Sequence, residues 1–296
     1  MITNALSVDV EEYYHAAIFR RGANGKGPFE SRVETSVDRL LALMSEHRTR
    51  ATFFVLGEVA ARHPAMVRAI AAEGHEIGCH SDRHENVNLQ SPGEFRADTR
   101  RAKARIEDAL GNAVIGYRAP NFSIGRDQRW AYEVLLEEGF RYDSSTHPIL
   151  HDRYGQPGAP RFPYEIHRSG ADSLVEFPIG TARLLGVNLP IGGGGYFRLY
   201  PFALTQLGIE YVNRVERRPV MFYLHPWELD PGQPRPPMAW RHRFRHYVGM
   251  EKEETKLSAL LGRFQFGTAA EVLRSQGHSA PLPSMPPIAA EQPSSL

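Results

Sequence analysis

The chain is predicted to be an α/β protein with parallel strands joined by crossover helices, and three observations carry the prediction. Short apolar runs of β character alternate with segments whose apolar residues recur every three or four positions. Glycines and capping residues close those segments, and the apolar runs end in charged or imidazole side chains. A barrel and a doubly wound sheet both satisfy this order.

Residues 4–10 form a β-type run leading straight into Glu11 and Glu12. Because strand side chains alternate, Asp9 and Glu11 share one face while Val10 and Glu12 take the other. A glycine-rich loop (21–27) precedes a helical stripe of Val37, Leu40, Leu41 and Met44. Residues 51–56 read as a buried strand closed by Gly57, and 58–73 as one helix stopped by Gly74. The next apolar run, from Glu76, ends in His80-Ser81-Asp82-Arg83-His84. Ser91 and Glu94 form a capping-box signature opening a helix that runs to Leu110, before Gly111. Residues 113–118 give a strand that delivers Arg118; a helix over 127–138 follows, stopped by Gly139, and precedes Phe140-Arg141-Tyr142-Asp143-Ser144-Ser145.

From 146 to 200 the periodicity weakens amid many Pro and Gly residues, predicting short strands, 174–177 among them, and long loops bordering a cleft. The four glycines 192–195 lack the Lys-Ser/Thr of a phosphate-binding loop and read as a flexible cleft rim. Residues 201–216 return to helix, and 220–224 form the last strand, which delivers His225-Pro226-Trp227-Glu228. A helix over 251–263 and a short one capped by Thr268 complete the pattern. The tail from 279, rich in Ser, Pro and Ala, is expected to be disordered.

The 296 residues suffice for one large domain. Thirty-five basic against 34 acidic side chains leave no field that would select nucleic acid or an anionic partner, so a neutral or mixed-charge substrate fits better. The single cysteine, Cys79, excludes an internal disulfide and reads as an inert buried thiol. No basic leader with a long apolar core and no run of about 20 apolar residues is visible, and the expectation is a cytoplasmic protein without a transmembrane segment.

The chemistry-bearing residues stand at strand ends: Asp9 and Glu11, His80 and His84, Arg118, His225. In a parallel barrel these ends converge on one face. Two imidazoles four residues apart can reach one small cation, which then needs a carboxylate and leaves room for water. Taken singly, each of these residues reads as readily as a hydrogen-bonded structural group. Glu12 reads as a solvated or supporting acid, Asp82 as a tie for the histidine loop, and His15 and His75 as structural.

In these residues the chain resembles the polysaccharide deacetylases (carbohydrate esterase family 4). Ser7-Val8-Asp9-Val10-Glu11 is similar to the first family motif, His80-Ser81-Asp82-Arg83-His84 to the second, Arg118-Ala119-Pro120 to the third and Leu224-His225 to the last, over about residues 4–230. The resemblance implies a distorted (β/α) barrel of about seven parallel strands and metal-dependent removal of N-acetyl groups from N-acetylglucosamine-type glycans. It makes His80, His84 and Glu11 the ligands of one divalent ion, zinc, with Asp9 as general base and His225 as the acid that protonates the departing amine. Arg118 then pairs with Asp9 through a charge-assisted contact able to be bidentate, and the backbone N–H of Asn121 matches an oxyanion donor. Tyr196 and Trp227 are candidates for stacking on a sugar ring, with packing as the rival reading.

Many family members carry two adjacent aspartates in the first motif. Asp9-Val10-Glu11 looks instead like the branch holding some peptidoglycan deacetylases and cyclic-imide hydrolases, which leaves cyclic imide or ureide hydrolysis as the alternative activity. The C-terminal segment with Trp240 and its Arg/His cluster resembles the branch associated with bacterial exopolysaccharide loci. The expected division is a barrel over 1–230, an extension packed on it over 231–278 and a tail over 279–296. A catalytically silent glycan-binding barrel is the rival of another class, disfavoured because all six site residues are retained.

Overall fold

The computed structural model describes residues 2–16, 19, 29–151 and 154–278; the glycine-rich loop and the carboxyl-terminal tail lie outside them. Eleven strands are described: β1 (Thr3–Val10), β2 (Thr52–Val55), β3 (Glu76–Cys79), β4 (Gly116–Tyr117), β5 (Tyr142–Asp143), β6 (Tyr164–Ser169), β7 (Asp172–Glu176), β8 (Thr181–Leu184), β9 (Val187–Pro190), β10 (Met221–Leu224) and β11 (Gln265–Gly267). Seven run parallel in the order β10-β1-β2-β3-β4-β5-β7. Parallel bridges from Ile179 to Met221 and from Gly193 to Tyr223 bring the chain after β7 back onto β10. The result is a distorted seven-stranded barrel. β6 pairs antiparallel with β7, β11 adds to the start of β1, and β8 and β9 form a separate hairpin.

Ten α-helices lie among the described residues: α1 (Val33–Glu46), α2 (Gly57–Arg62), α3 (Pro64–Ala72), α4 (Pro92–Leu110), α5 (Trp130–Glu137), α6 (Gly194–Leu199), α7 (Phe202–Tyr211), α8 (Trp240–Tyr247), α9 (Glu253–Arg263) and α10 (Ala269–Ser275). The Ser91–Glu94 box and Gly111, at φ 78°, bound α4 where the sequence places them. Residues 58–73, however, are two helices. Pro64 has no amide hydrogen and disfavours a helical residue before it, and His63 breaks the path at φ −128°, ψ 54°. The strand expected over 113–118 keeps only two ladder residues, because the Ile115 carbonyl receives both Arg141 N–H at 2.8 Å and Tyr142 N–H at 3.3 Å. The helix expected over 127–138 is α5, preceded by a 3-10 turn over Arg126–Gln128.

Strand alternation divides the core in two. Leu6, Val8, Val10, Phe53, Val55 and Ile77 face the helices, whereas Ala5, Phe54, Tyr142, Val175, Met221 and Tyr223 fill the barrel. Ala269, Ala270, Val272 and Leu273 of α10 pack into that inner cluster, so the chain beyond residue 231 contributes both a strand and a plug. The glycines 192–195 are no flexible rim: they lie against β10 and lead into α6. Gly193 has φ +106°, and a Cβ there would stand 1.9 Å from the Tyr223 carbonyl oxygen, a separation only glycine avoids. No described helix is long and apolar enough to cross a membrane.

Candidate active site

The histidine loop is built to bring its two rings together. Ser81 and His84 both adopt the left-handed region, at φ 68° and 59°, a cost on the order of 1 kcal/mol each. The Ser81 hydroxyl accepts the His84 amide at 3.1 Å. Asp82 ties the loop to α4 by accepting from Arg101 Nε at 2.6 Å and Arg105 Nη1 at 2.7 Å. Opposite, Glu11 directly follows the last residue of β1 and is buried with both histidines.

Ligand atoms of Glu11, His80 and His84 lie within 4.8 Å of one another. His80 Nδ1 stands 2.8 Å from the Arg118 carbonyl oxygen; a carbonyl only accepts, so Nδ1 carries the hydrogen and Nε2 keeps its lone pair. Burial, only partly offset by Asp9, pushes His80 down to about 4, so it is neutral and able to ligate. Glu11 Oε2 lies 2.8 Å from His84 Nε2. Burial raises the Glu11 pKa, but His84, His225 and His15 outweigh it and hold the carboxylate well below its usual range. The two imidazoles and one carboxylate fit a divalent ion of the zinc type.

Asp9 and Arg118 meet beside this trio. Arg118 is fully buried and donates Nη1 to Asp9 Oδ1 at 2.7 Å. Its contact is single-point, not bidentate, because the other donors are taken: Nη1 also reaches Ser7 Oγ at 2.8 Å, Nη2 reaches Ser144 Oγ at 2.8 Å and Nε the Ser144 carbonyl at 3.0 Å. Ser144 thus belongs to the frame of the site. Glu12 is buried, not solvated, and accepts from Ser31 Oγ and from the Arg32 amide at 3.0 Å, fixing the start of α1.

On the other side, His225 Nε2 lies 3.7 Å from Glu11 Oε1 and 4.0 Å from Asp9 Oδ2. Burial works against its charge, yet Glu228, Glu11 and Asp9 together raise its pKa to about 9, so the imidazole is cationic at neutral pH. Trp227 donates Nε1–H to Glu11 Oε1 at 3.0 Å, stacks on His225 and His246 at 4.9 and 4.4 Å, and is 7% exposed. That burial leaves it little surface for a sugar. Tyr196 stands on α6, 6.4 Å from His147 and 5.8 Å from Tyr200 between ring centres, outside the Glu11 cluster. Asn121 is exposed at φ 53°, and its side chain donates to Asn86 Oδ1 at 2.7 Å.

Sequence reasoning missed the support of His225. Glu228, fully buried, accepts from Arg198 Nε at 3.1 Å. Arg198 also donates to the carbonyls of His246, Val248 (3.3 Å) and Arg245 (3.4 Å) at the end of α8, a favourable place for a cation. The available signal was Glu228, one helical turn after His225.

A family model described as polysaccharide deacetylase matches residues 26–135, and a second, described as a domain of unknown function (DUF3473), matches residues 144–274. Over residues 26–135 the chain is thus similar to the polysaccharide deacetylases. His80, His84 and Arg118 fall within the deacetylase match; Asp9 and Glu11 precede it, and His225 lies in the second segment. A peptidoglycan-N-acetylglucosamine deacetylase of Bacillus cereus is 34% identical over 133 residues, 41% of this chain and 48% of that protein. A chitooligosaccharide deacetylase of Bradyrhizobium is 28% identical over 150 residues, 49% of this chain and 66% of that protein. The matches to these curated relatives thus span about half to two thirds of their length. Crystal structures of two proteins assigned to the polysaccharide deacetylases share the fold: one from Pseudomonas aeruginosa PAO1 (TM-score 0.61, 16% identity, 95% of this chain and 92% of that one) and one from Mycobacterium smegmatis (0.58, 21%, 95% and 93%).

Proposed function

We propose that this chain removes acetyl groups from N-acetylated amino sugars in a bacterial polysaccharide or its precursor, an exopolysaccharide among the candidates, and that it works in the cytoplasm. The observation that carries the reading is the buried Glu11, His80 and His84 trio flanked by an arginine-held carboxylate, Asp9, and a cationic imidazole, His225. A divalent ion held by that trio, zinc by its donor set, would polarise the acetyl carbonyl and lower the pKa of an attacking water toward about 7.

Asp9 takes the proton of the water, with Arg118 fixing the carboxylate through one hydrogen bond and leaving Oδ2 to work. His225 gives its proton to the sugar nitrogen, which is too basic to leave unprotonated. The Asn121 N–H is the proposed oxyanion donor. Trp227 holds Glu11 in place, and Tyr196 remains the candidate contact for a neighbouring sugar. The barrel over 1–230 carries this chemistry, and the extension over 231–278 supports it by clamping Arg198.

Acetate release from N-acetylglucosamine oligomers and peptidoglycan fragments tests the reading. The chain should be inactive after chelation, and activity should return on adding zinc. Ring opening of cyclic imides or ureides without acetate release from any glycan would overturn it in favour of the alternative amidohydrolase. Tight glycan binding with no turnover on either class would mark a silent barrel.

A further inference from the structure

Thirteen large apolar side chains are exposed among the described residues, and nine of them fall between 184 and 215: Leu184, Leu185, Val187, Leu189, Leu199, Leu204, Leu207, Tyr211 and Val215. Such crowding is not the scattered exposure any surface shows. Two elements carry it. The β8–β9 hairpin raises Leu184, Leu185 and Val187 at its tip, with Leu185 96% exposed. On α7, Thr205 and Ile209 face inward while Leu204, Leu207 and Tyr211 form an outward stripe at helical spacing. The elements are adjacent: Gly208 of α7 is in close contact with Ile191, which follows β9.

The fully exposed charged side chains of this segment are basic. Arg183, Arg214, Arg217 and Arg218 are exposed, whereas the two acids between 181 and 218 are only partly exposed and already paired, Glu210 with Arg263 at 2.8 Å and Glu216 with Arg161 at 2.6 Å. Apolar side chains on a protruding tip and a helix face, rimmed by exposed arginines, have the chemistry of interfacial lipid binding. A two-fold pairing of this face with a second copy would set the same cationic rim on both sides with no exposed carboxylate in the segment to meet it.

We propose that the β8–β9 hairpin and the outer face of α7 dock on an anionic phospholipid surface. The surface borders the candidate active site: Asn188 of β9 donates to the Pro148 carbonyl at 2.7 Å, and the chain after β9 bridges to Tyr223, two residues before His225. Docking would bring that site to membrane-bound glycans, but the lipid contact itself does not depend on the deacetylase reading.

The test is sedimentation of the full chain with vesicles of phosphatidylcholine alone or with about a third phosphatidylglycerol, with no glycan present. Binding should favour the anionic vesicles at least tenfold and weaken as salt rises, since each arginine near the surface contributes about fivefold. L185E and L207E should each lose about tenfold, and the R217E/R218E pair should lose at least tenfold on anionic vesicles only. Circular dichroism melts check folding, and Leu185→Ser serves if L185E melts early. Equal binding to both vesicles, no binding at low salt, or full binding by L185E and L207E would overturn the proposal. A concentration-dependent dimer dissolved by L185E, without lipid binding, would reassign the face to a second copy.

Discussion

In the first half of the barrel, up to β5, buried His80 is flanked by a backbone carbonyl and lies deep enough that its pKa falls to about 4. In the second half His225, whose side chain is 18% exposed, stands among Glu228, Glu11 and Asp9, and its pKa climbs to about 9. One residue type is thereby held neutral on one side and charged on the other, as the proposed ligand and proton-donor roles require, and what separates them is the count of carboxylates in reach. The first half achieves its state with short local loops and backbone contacts. The second needs a buried ionic chain, Arg198 to Glu228 to His225, closed by carbonyls of α8 from nearly fifty residues further on.

The largest effect should come from separating ligand from base within the first half. H80A should lose bound metal and activity together, whereas Asp9→Asn should keep the metal and lose about 10²- to 10⁴-fold in kcat. Metal analysis beside acetate release checks both, and full turnover by Asp9→Asn would remove the base assignment. Next comes the scaffold of the second half. Arg198→Met leaves buried Glu228 and the α8 carbonyls without their donor and should cost about 3–5 kcal/mol in urea unfolding. Arg101→Met in the first half should cost about 1 kcal/mol or less, because that side chain is largely exposed and Asp82 keeps Arg105. Equal losses would mean that the two halves are supported alike.

A finer probe is Trp227→Phe, which keeps the ring stack but removes the donor to Glu11. Metal affinity should fall about 10- to 100-fold with little change in unfolding, measured by competition with a chelating dye. An unchanged affinity would leave Trp227 as packing alone.

The same contrast governs what the sequence disclosed. Asp9 and Glu11, the His80–His84 pair, Arg118 and His225 were legible because each sits at the end of an apolar run, where period and spacing are local properties. The Arg198–Glu228 contact, the Trp227 bond to Glu11 and the stacking of His246 were not, since they join residues 19 to 216 positions apart and leave no periodic trace. Pro64 stood in plain view as a helix breaker, and the apolar stripe around it concealed the break. The glycines 192–195 misled because composition suggests flexibility, while only the partner strand reveals that Tyr223 needs the space.

The smallest effect sits on the seam between the halves, where Asp143 of β5 is in register with Glu176 of β7. Both are fully buried; Asp143 Oδ1 accepts from Ser145 Oγ at 2.6 Å and Glu176 Oε1 from the Thr146 amide at 2.9 Å. The remaining oxygens, Asp143 Oδ2 and Glu176 Oε2, are buried without a hydrogen-bond partner, and a proton shared between the two carboxyls would satisfy both. Burial raises Asp143 to about 6, and burial with the Asp143 charge raises Glu176 well above its usual value. A raised carboxyl pKa means that the folded state holds more protons than the unfolded one above about pH 4, so its stabilisation is complete below that value and is lost as pH rises through the folded pKa values. Glu176→Gln supplies a permanent donor and removes the linkage. The variant should match the parent near pH 4 and exceed it by on the order of 1 kcal/mol at pH 8 in urea unfolding, the gap opening steadily from about pH 4 upward. A gap of constant size across that range would mean that no proton is shared at the seam, and that the two halves meet there through packing alone.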